Sequence, residues 1–270
     1  MLEISIACRT ERGERAANED ALRTGGAGVT RYAVLSDGAG GHERGAEASR
    51  RAVEHVESAL RAGDGSFGPR RLTQAMLSAH ADLQRRQVGA QGQHRMHATL
   101  VVLWIDTRHD RAVWSHVGDS RLYRLRYGKV DLVTADDSVV QRLLEGGLLT
   151  PQQAQVHPMK NQLLAAVGMA EGVEPHTLDE AVPIEDGDAF LLCTDGWWGM
   201  LDEAELCDTF ACNDTPAEWL DAMGELIAQR AAPGQDNFSA IAVWAVDPTE
   251  STRSMEDDDQ STRPAPMWEG

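Results

Sequence analysis

Lysine is nearly missing from this 270-residue chain: only Lys129 and Lys160 occur. Basic groups are outnumbered throughout, 25 Lys and Arg against 43 Asp and Glu, which leaves a net charge of −18. A surface this acidic repels nucleic acid and anionic membrane, so neither is expected as a partner. No apolar run approaches the roughly 20 residues of a membrane span. The opening "MLEISIACRTERGE" has neither the basic segment nor the apolar core of a secretory signal. A cytoplasmic location is therefore expected. The four cysteines, Cys8, Cys193, Cys207 and Cys212, form no CxxC pair and suggest no zinc site. Thiols of this kind fit a reducing compartment. A nucleotide cradle is also disfavoured, because "GAGGHERG" has neither the spacing nor the lysine of a P-loop.

What is present reads as one globular unit. "LEISIA" alternates apolar and polar residues, as strands do, and "TRYAVLSD" predicts a second strand ending at Asp37. Val53, Val56 and Leu60 share one helical face; Leu72, Met76, Ala79 and Leu83 share another. A turn at 63–69 separates these helices as an αα-hairpin. Four strands follow, "ATLVVLWID", "RAVWSHV", "RLYRLR" and "KVDLVT", with turns at Gly118-Asp119 and Tyr127-Gly128. Links that short predict antiparallel pairing across each. Thr150-Pro151 predicts a helix start, "DAFLLCTD" a strand, and Asp202 with Glu205 and Thr215 with Glu218 predict two capped helices. "FSAIAVWAV" predicts a last strand after Asp236. Strands grouped apart from helices indicate α+β, with each helical pair able to cover one sheet. The expected division is one domain over 1–247 and an acidic, disordered tail over 248–270.

Asp37, Asp119, Asp195 and Asp236 all stand where an apolar strand meets a turn. Any one Asp-Gly or Gly-Asp is more often ordinary turn chemistry. Four in one chain point to carboxylates converging from rigid strand ends. Converging carboxylates need positive charge beside them. With lysines so scarce, an oxygen-only set suits Mg²⁺ or Mn²⁺. The glycines after Asp37 would then let a backbone carbonyl, such as that of Gly38, approach a cation.

Six segments in order, "RAANED", "LSDGAGGHERGAEAS", "HVGDSRLYRLR", "DDSVVQRLLEGGLLTPQQAQVHPMKNQLLAAVG", "LLCTDGWWGML" and "PGQDNFSAIAV", span nearly everything from 2 to 246. Together they resemble the motifs of bacterial metal-dependent protein phosphatases of the protein phosphatase 2C class. The resemblance implies a central antiparallel β-sandwich flanked by helical pairs. It implies a protein-serine/threonine phosphatase with two Mn²⁺ or Mg²⁺ ions and a weaker third. On this resemblance Asp37 bridges both metals, Asp195 and Asp236 complete one, and the Gly38 carbonyl serves the second. Glu19 reaches that second metal through water, Asp119 holds the third ion with Asp195, and Arg15 grips the substrate phosphate. An ion pair with Glu14 or Glu19 is the plain alternative for Arg15. Some members carry His directly after Asp-Gly, where this chain has Ala39; His42 is offset, so that role is not transferred. "MHATLVV" and "DDS" also depart from the family pattern. The segment 138–165 matches the variable flap beside the family's site, a natural place for substrate selection.

Expected partners are phosphoproteins, including a Ser/Thr kinase and its targets, met by a monomer. The compact form resembles stand-alone phosphatases paired with such kinases, including those in type VI secretion loci. Two rivals stand beside this reading. One is an inactive member used as a phosphoprotein-binding module; the other is a phosphatase of small metabolites.

Overall fold

Strands covered on one face alternate in polarity, whereas strands covered on both read as unbroken apolar runs. The runs at 32–35, 100–105 and 189–193 are of the second kind. The computed structural model describes residues 1–38, 44–62, 66–87, 95–170, 172–230 and 232–249. Its first strands are β1 (Glu3–Glu11), β2 (Ala21–Ala27) and β3 (Thr30–Ser36), followed by helices α1 (Gly45–Arg61) and α2 (Pro69–Arg86). Next come β4 (Leu100–Asp106), β5 (Arg111–Val117), β6 (Arg121–Arg126) and β7 (Lys129–Leu132), then α3 (Val139–Glu145) and α4 (Pro151–Gln155). The last third holds β8 (His176–Thr177), β9 (Val182–Pro183), β10 (Ala189–Cys193), α5 (Asp195–Trp198), α6 (Glu203–Ala211), α7 (Pro216–Arg230) and β11 (Phe238–Val246).

All strand pairs are antiparallel and form two sheets. One has the order β1-β11-β10-β6-β7; the other has β2-β3-β4-β5-β8, with β9 also on β5. Three apolar layers hold them together. Tyr32, Val34, Val102 and Trp104 face α1 and α2, which supply Val53, Val56, Leu72, Met76 and Leu83. The alternate residues Ala33, Leu35, Val101 and Leu103 face the second sheet and meet Phe190, Leu192, Ile241 and Val243. Leu191 and Ala242 turn the other way, onto Trp197, Trp219, Met223 and Ile227 of the late helices. Helices, sheet, sheet, helices is thus the layer order, the α+β sandwich expected.

Local signals hold at the helix starts. Asp202 and Thr150 each accept from the backbone N–H three residues on, and Glu205 and Gln153 reciprocate. Thr215 accepts from Glu218 N at 3.2 Å, and its hydroxyl donates to the Glu218 carboxylate at 2.9 Å. Tyr127 and Gly128 have φ of 51° and 70°, the left-handed pair that a tight β6–β7 hairpin requires.

One expectation needs correcting. The Gly118-Asp119 link does not join paired strands, because β5 and β6 lie in different sheets. It is a corner that carries the chain across the sandwich. Gly118 makes it possible: its φ is +98°, and a Cβ there would come within 2.8 Å of Thr99 Cγ2. β2, which the apolar pattern did not signal, is a second difference. The expected tail beyond 249, the turn at 63–65, His94, and Ala39 with His42 lie outside the described residues.

Candidate active site

At the end of β3 the chain is stitched to its neighbours. The Asp37 N–H donates to Thr99 Oγ1 at 2.9 Å, and the Thr99 N–H donates to the Asp37 carbonyl at 2.8 Å. Thr99 Oγ1 also lies 2.6 Å from Ser120 Oγ, so the corner bearing Asp119 is tied to the same point. Beyond Asp37, the Gly38 N–H donates to the Glu19 carbonyl at 3.1 Å. A Cβ at Gly38 would lie 2.5 Å from the backbone carbon of Gly45, so only glycine fits. A Cβ at Gly45 would lie 2.7 Å from Glu19 Oε2 and 3.1 Å from the Gly38 carbonyl oxygen. The Glu19 carboxylate and the Gly38 carbonyl therefore flank one small space.

The segment before β2 is pinned by Asn237. Its side chain accepts from the Glu19 N–H at 2.9 Å and donates to the carbonyls of Arg12 and Ala17 at 2.7 and 3.0 Å. That brings Arg15 to Asp236, with Nη2 2.6 Å from Oδ2. Arg15 thus pairs with neither Glu14 nor Glu19 but with a carboxylate of the site. Asp195 opens α5 rather than ending β10. Trp198, on the same short helix, donates from Nε1 to the Asp119 carbonyl at 3.0 Å.

Asp20 is the residue the sequence reading passed over. Thr194 Oγ1 donates to its Oδ2 at 3.1 Å, while its Oδ1 is buried with no partner. Its signal in the sequence is the pair of adjacent carboxylates in "NED", of which the family resemblance names only Glu19. His116 is held structurally: its Nε2 meets the Ala135 carbonyl at 2.8 Å and its ring stacks on His176.

Burial first, and then repulsion from Asp20, Asp195, Asp119 and Asp236, push the Asp37 carboxyl well above the usual carboxylate range. Asp119 is raised by burial, Asp195 and Asp136. Asp195 is raised by burial and Asp236, with a hydrogen bond from the Asp37 carboxyl pulling the other way. Asp20 is pushed up to about 7, chiefly by burial. Carboxyls raised by one another demand either protons or cations. Among the described residues no three His, Cys, Asp or Glu side chains close into a cage. Hard cations that keep several waters do not need one. The donor set is oxygen only, one donor is orphaned, and a carbonyl is brought close by glycine; these residues fit Mg²⁺ or Mn²⁺.

The carboxylates open onto a groove of about 900 Å³ lined by Arg15, Asp195, Asp236 and, from the flap, Val140, Leu144 and Lys160. The flap expected over 138–165 does adjoin the site.

The family model for protein phosphatase 2C matches residues 9–228. The protein phosphatase PhpP of Streptococcus pneumoniae is 31% identical over 65% of this chain and 70% of its own. The serine/threonine protein phosphatase PstP of Mycobacterium tuberculosis is 31% identical over 97% of this chain, which spans only 50% of PstP. Among solved structures, a Streptococcus agalactiae serine/threonine phosphatase superposes with a TM-score of 0.81 at 28% identity, covering 91% of this chain and all of that one. The PstP catalytic domain in complex with two manganese ions superposes at 0.79 with 27% identity, over 92% of this chain and 100% of its own. PppA of Pseudomonas aeruginosa, described as a key regulatory component of a type VI secretion system, superposes at 0.73 with 31% identity, over 90% and 97%. Carboxylates that need cations, an arginine beside them and these likenesses lead to one conclusion: the chain belongs to the protein phosphatase 2C family and is a metal-dependent serine/threonine protein phosphatase with a two-ion Mn²⁺/Mg²⁺ site.

Proposed function

We propose that the two ions would be held by Asp37, shared between them, with Asp195 and Asp236 serving one and the Gly38 carbonyl and, through water, Glu19 serving the other. Asp119 is assigned to a weaker third ion together with Asp195. When bound, the ions supply an acidified water and charge stabilisation for the in-line displacement of a phosphate monoester. The chain's own residues do the rest. Arg15, planar and permanently charged, holds two phosphate oxygens and orients the phosphorus for attack. The Thr99 and Asn237 hydrogen bonds hold the ligand-bearing segments in register, so little reorganisation accompanies reaction. Asp20, which accepts from Thr194 Oγ1, would take a further hydrogen bond on its buried Oδ1.

The observation that carries this reading is the orphaned, buried Asp20 Oδ1 among carboxyls that raise one another, with Arg15 at their rim. Substrates are phosphorylated proteins. The reading extends to a cytoplasmic monomer opposing a Ser/Thr kinase, with catalysis within 1–247 and an acidic tail outside it. The single-unit architecture and the likeness to PppA support this extension, and no helix among the described residues is long and apolar enough to cross a membrane. The test is phosphate release from a phosphothreonine peptide with Mn²⁺, beside EDTA, Asp236→Ala and Asp37→Asn. Release should need the metal and both aspartates. Near-normal turnover by Asp37→Asn in saturating Mn²⁺ would refute the bridging role, and turnover limited to sugar phosphates would move the substrate to small metabolites.

A further inference from the structure

α3 spans seven residues and buries none of them, although it carries Val139, Val140, Leu143 and Leu144. Its position is nonetheless fixed. Ser138 Oγ caps it through Gln141 N, the Val139 N–H donates to the Gln162 carbonyl at 2.9 Å, and the Leu164 N–H donates to the Asp137 carbonyl at 2.7 Å. Val140 and Leu144, one helical turn apart, line the groove that begins at the carboxylates. Trp198 and Leu201 line the same groove. Trp198 is held by its bond to the Asp119 carbonyl and by the Arg121 guanidinium, 3.6 Å over its ring. Apolar side chains from two anchored segments therefore line a space far larger than a phosphate.

The guanidinium groups of the same groove are each paired within the chain. Arg15 is on Asp236 at 2.6 Å, Arg121 on Asp136 at 2.8 Å, and Arg230 on Glu205. Arg121 and Arg230 are thus engaged and Arg15 is assigned to the phosphate, which leaves Lys160 as the lining cation, set against Asp202 and Glu203. An acidic flank is repelled there, whereas an apolar one gains by leaving water.

We propose that Val140 and Leu144 of the flap, together with Trp198 and Leu201, form a subsite for an apolar side chain of the substrate protein next to its phosphorylated residue. The inference rests on the placement of the phosphate at Arg15 and the carboxylates, and it specifies which phosphoproteins the site selects. Contact remote from the reacting phosphorus acts on binding, so the preference belongs in KM rather than in kcat. One apolar side chain read by such a pocket is worth about 10–200-fold in kcat/KM.

The experiment uses the full chain with Mn²⁺ and phosphothreonine peptides in which Leu, Ser or Glu occupies each flanking position in turn. p-Nitrophenyl phosphate, which has no flank, reports the catalytic centre of the wild type independently. The expected result is at least about a tenfold preference for Leu over Ser at one position, carried by KM. In Leu144→Ser and Val140→Ser the ratio of Leu to Ser peptides should fall toward one; a ratio within each variant cancels any general loss. Equal use of Leu and Ser peptides, a preference for Glu, or a Leu preference that survives both substitutions would overturn the subsite. Absence of metal-dependent p-nitrophenyl phosphate turnover would instead overturn the catalytic reading beneath it.

Discussion

Gly45→Ala separates the architecture of the second ion's site from the stability of the fold. The new Cβ would meet Glu19 Oε2 at 2.7 Å, Glu19 Cδ at 2.9 Å and the Gly38 carbonyl oxygen at 3.1 Å. The first two belong to a side-chain end that can swing aside, and the third is tight but not a collision. Alanine also gains up to about 1 kcal/mol over glycine in a helix. The net change in stability should stay within about 1 kcal/mol, or roughly 2–4 °C in Tm for a domain of this size. Metal binding should respond far more, because the carboxylate forced aside is the one assigned to the second ion through water. Losing such an outer partner costs about 10–100-fold in metal affinity, which is about 1.4–2.8 kcal/mol. The assay is a Mn²⁺ titration of phosphopeptide turnover beside a thermal melt of the metal-free protein. Gly38→Ala serves as contrast: its Cβ would strike the Gly45 backbone at 2.5 Å, and such overpacking costs about 1–3 kcal/mol. A Gly45→Ala protein with an unmoved Mn²⁺ midpoint and a Tm lowered by about 10 °C or more would refute the argument, since the residue would then matter to packing alone.

Arg15→Ala should raise KM for the phosphopeptide and leave Mn²⁺ affinity equal or better, since Asp236 loses a competitor 2.6 Å away; a collapse of Mn²⁺ affinity would make Arg15 a structural residue instead. Mn²⁺ at about 100 times its dissociation constant should stabilise the fold by about 2.7 kcal/mol, seen as a Tm rise of roughly 5–10 °C that EDTA reverses, and an unmoved Tm would contradict a cation-dependent carboxylate cluster. Glu205 gives the acid response. Arg230 and then the Asp202 N–H hold its carboxyl down at about 2, below the ordinary 4.5. A depressed folded-state value means its contribution is whole above 4.5 and is lost as pH falls toward about 2. The pair is largely exposed, so the Tm gap between wild type and Glu205→Gln should be small and should close across that window; a gap independent of pH would place its origin in the helix cap.

What could be read from the chain follows from where the physics is local. β3, β10 and β11 are apolar runs bounded by Asp, so their existence and the aspartates beside them were visible together. Helix caps at Thr150 and Asp202 depend on residues three apart and were equally plain. The Gly118 corner was misjudged because a two-residue link looks the same whether its strands pair or part into different sheets. β2 was missed because "ALRTGGA" carries little apolar pattern. Its glycines answer to a distant residue: Gly25 lies opposite Tyr32, whose hydroxyl would be 2.4 Å from a Cβ there. Asp20 escaped for a related reason. That Asp20 faces inward as well as Glu19 is decided by Thr194, far along the chain, and Arg15's hold on Asp236 likewise exists only after the two ends meet.

That meeting sets a clock on the protein's birth. β11 lies between β1 and β10, so the first strand synthesised has no neighbour in its sheet until the last one arrives. Asn237, which fastens the loop carrying Arg15, is 225 residues from its partner Arg12. At ribosomal speeds of about 5–20 residues per second, roughly 11–45 s pass between them. Until β11 enters the gap between β1 and β10, the loop carrying Arg15 lacks its Asn237 fastening, so the site's parts come together only late in synthesis.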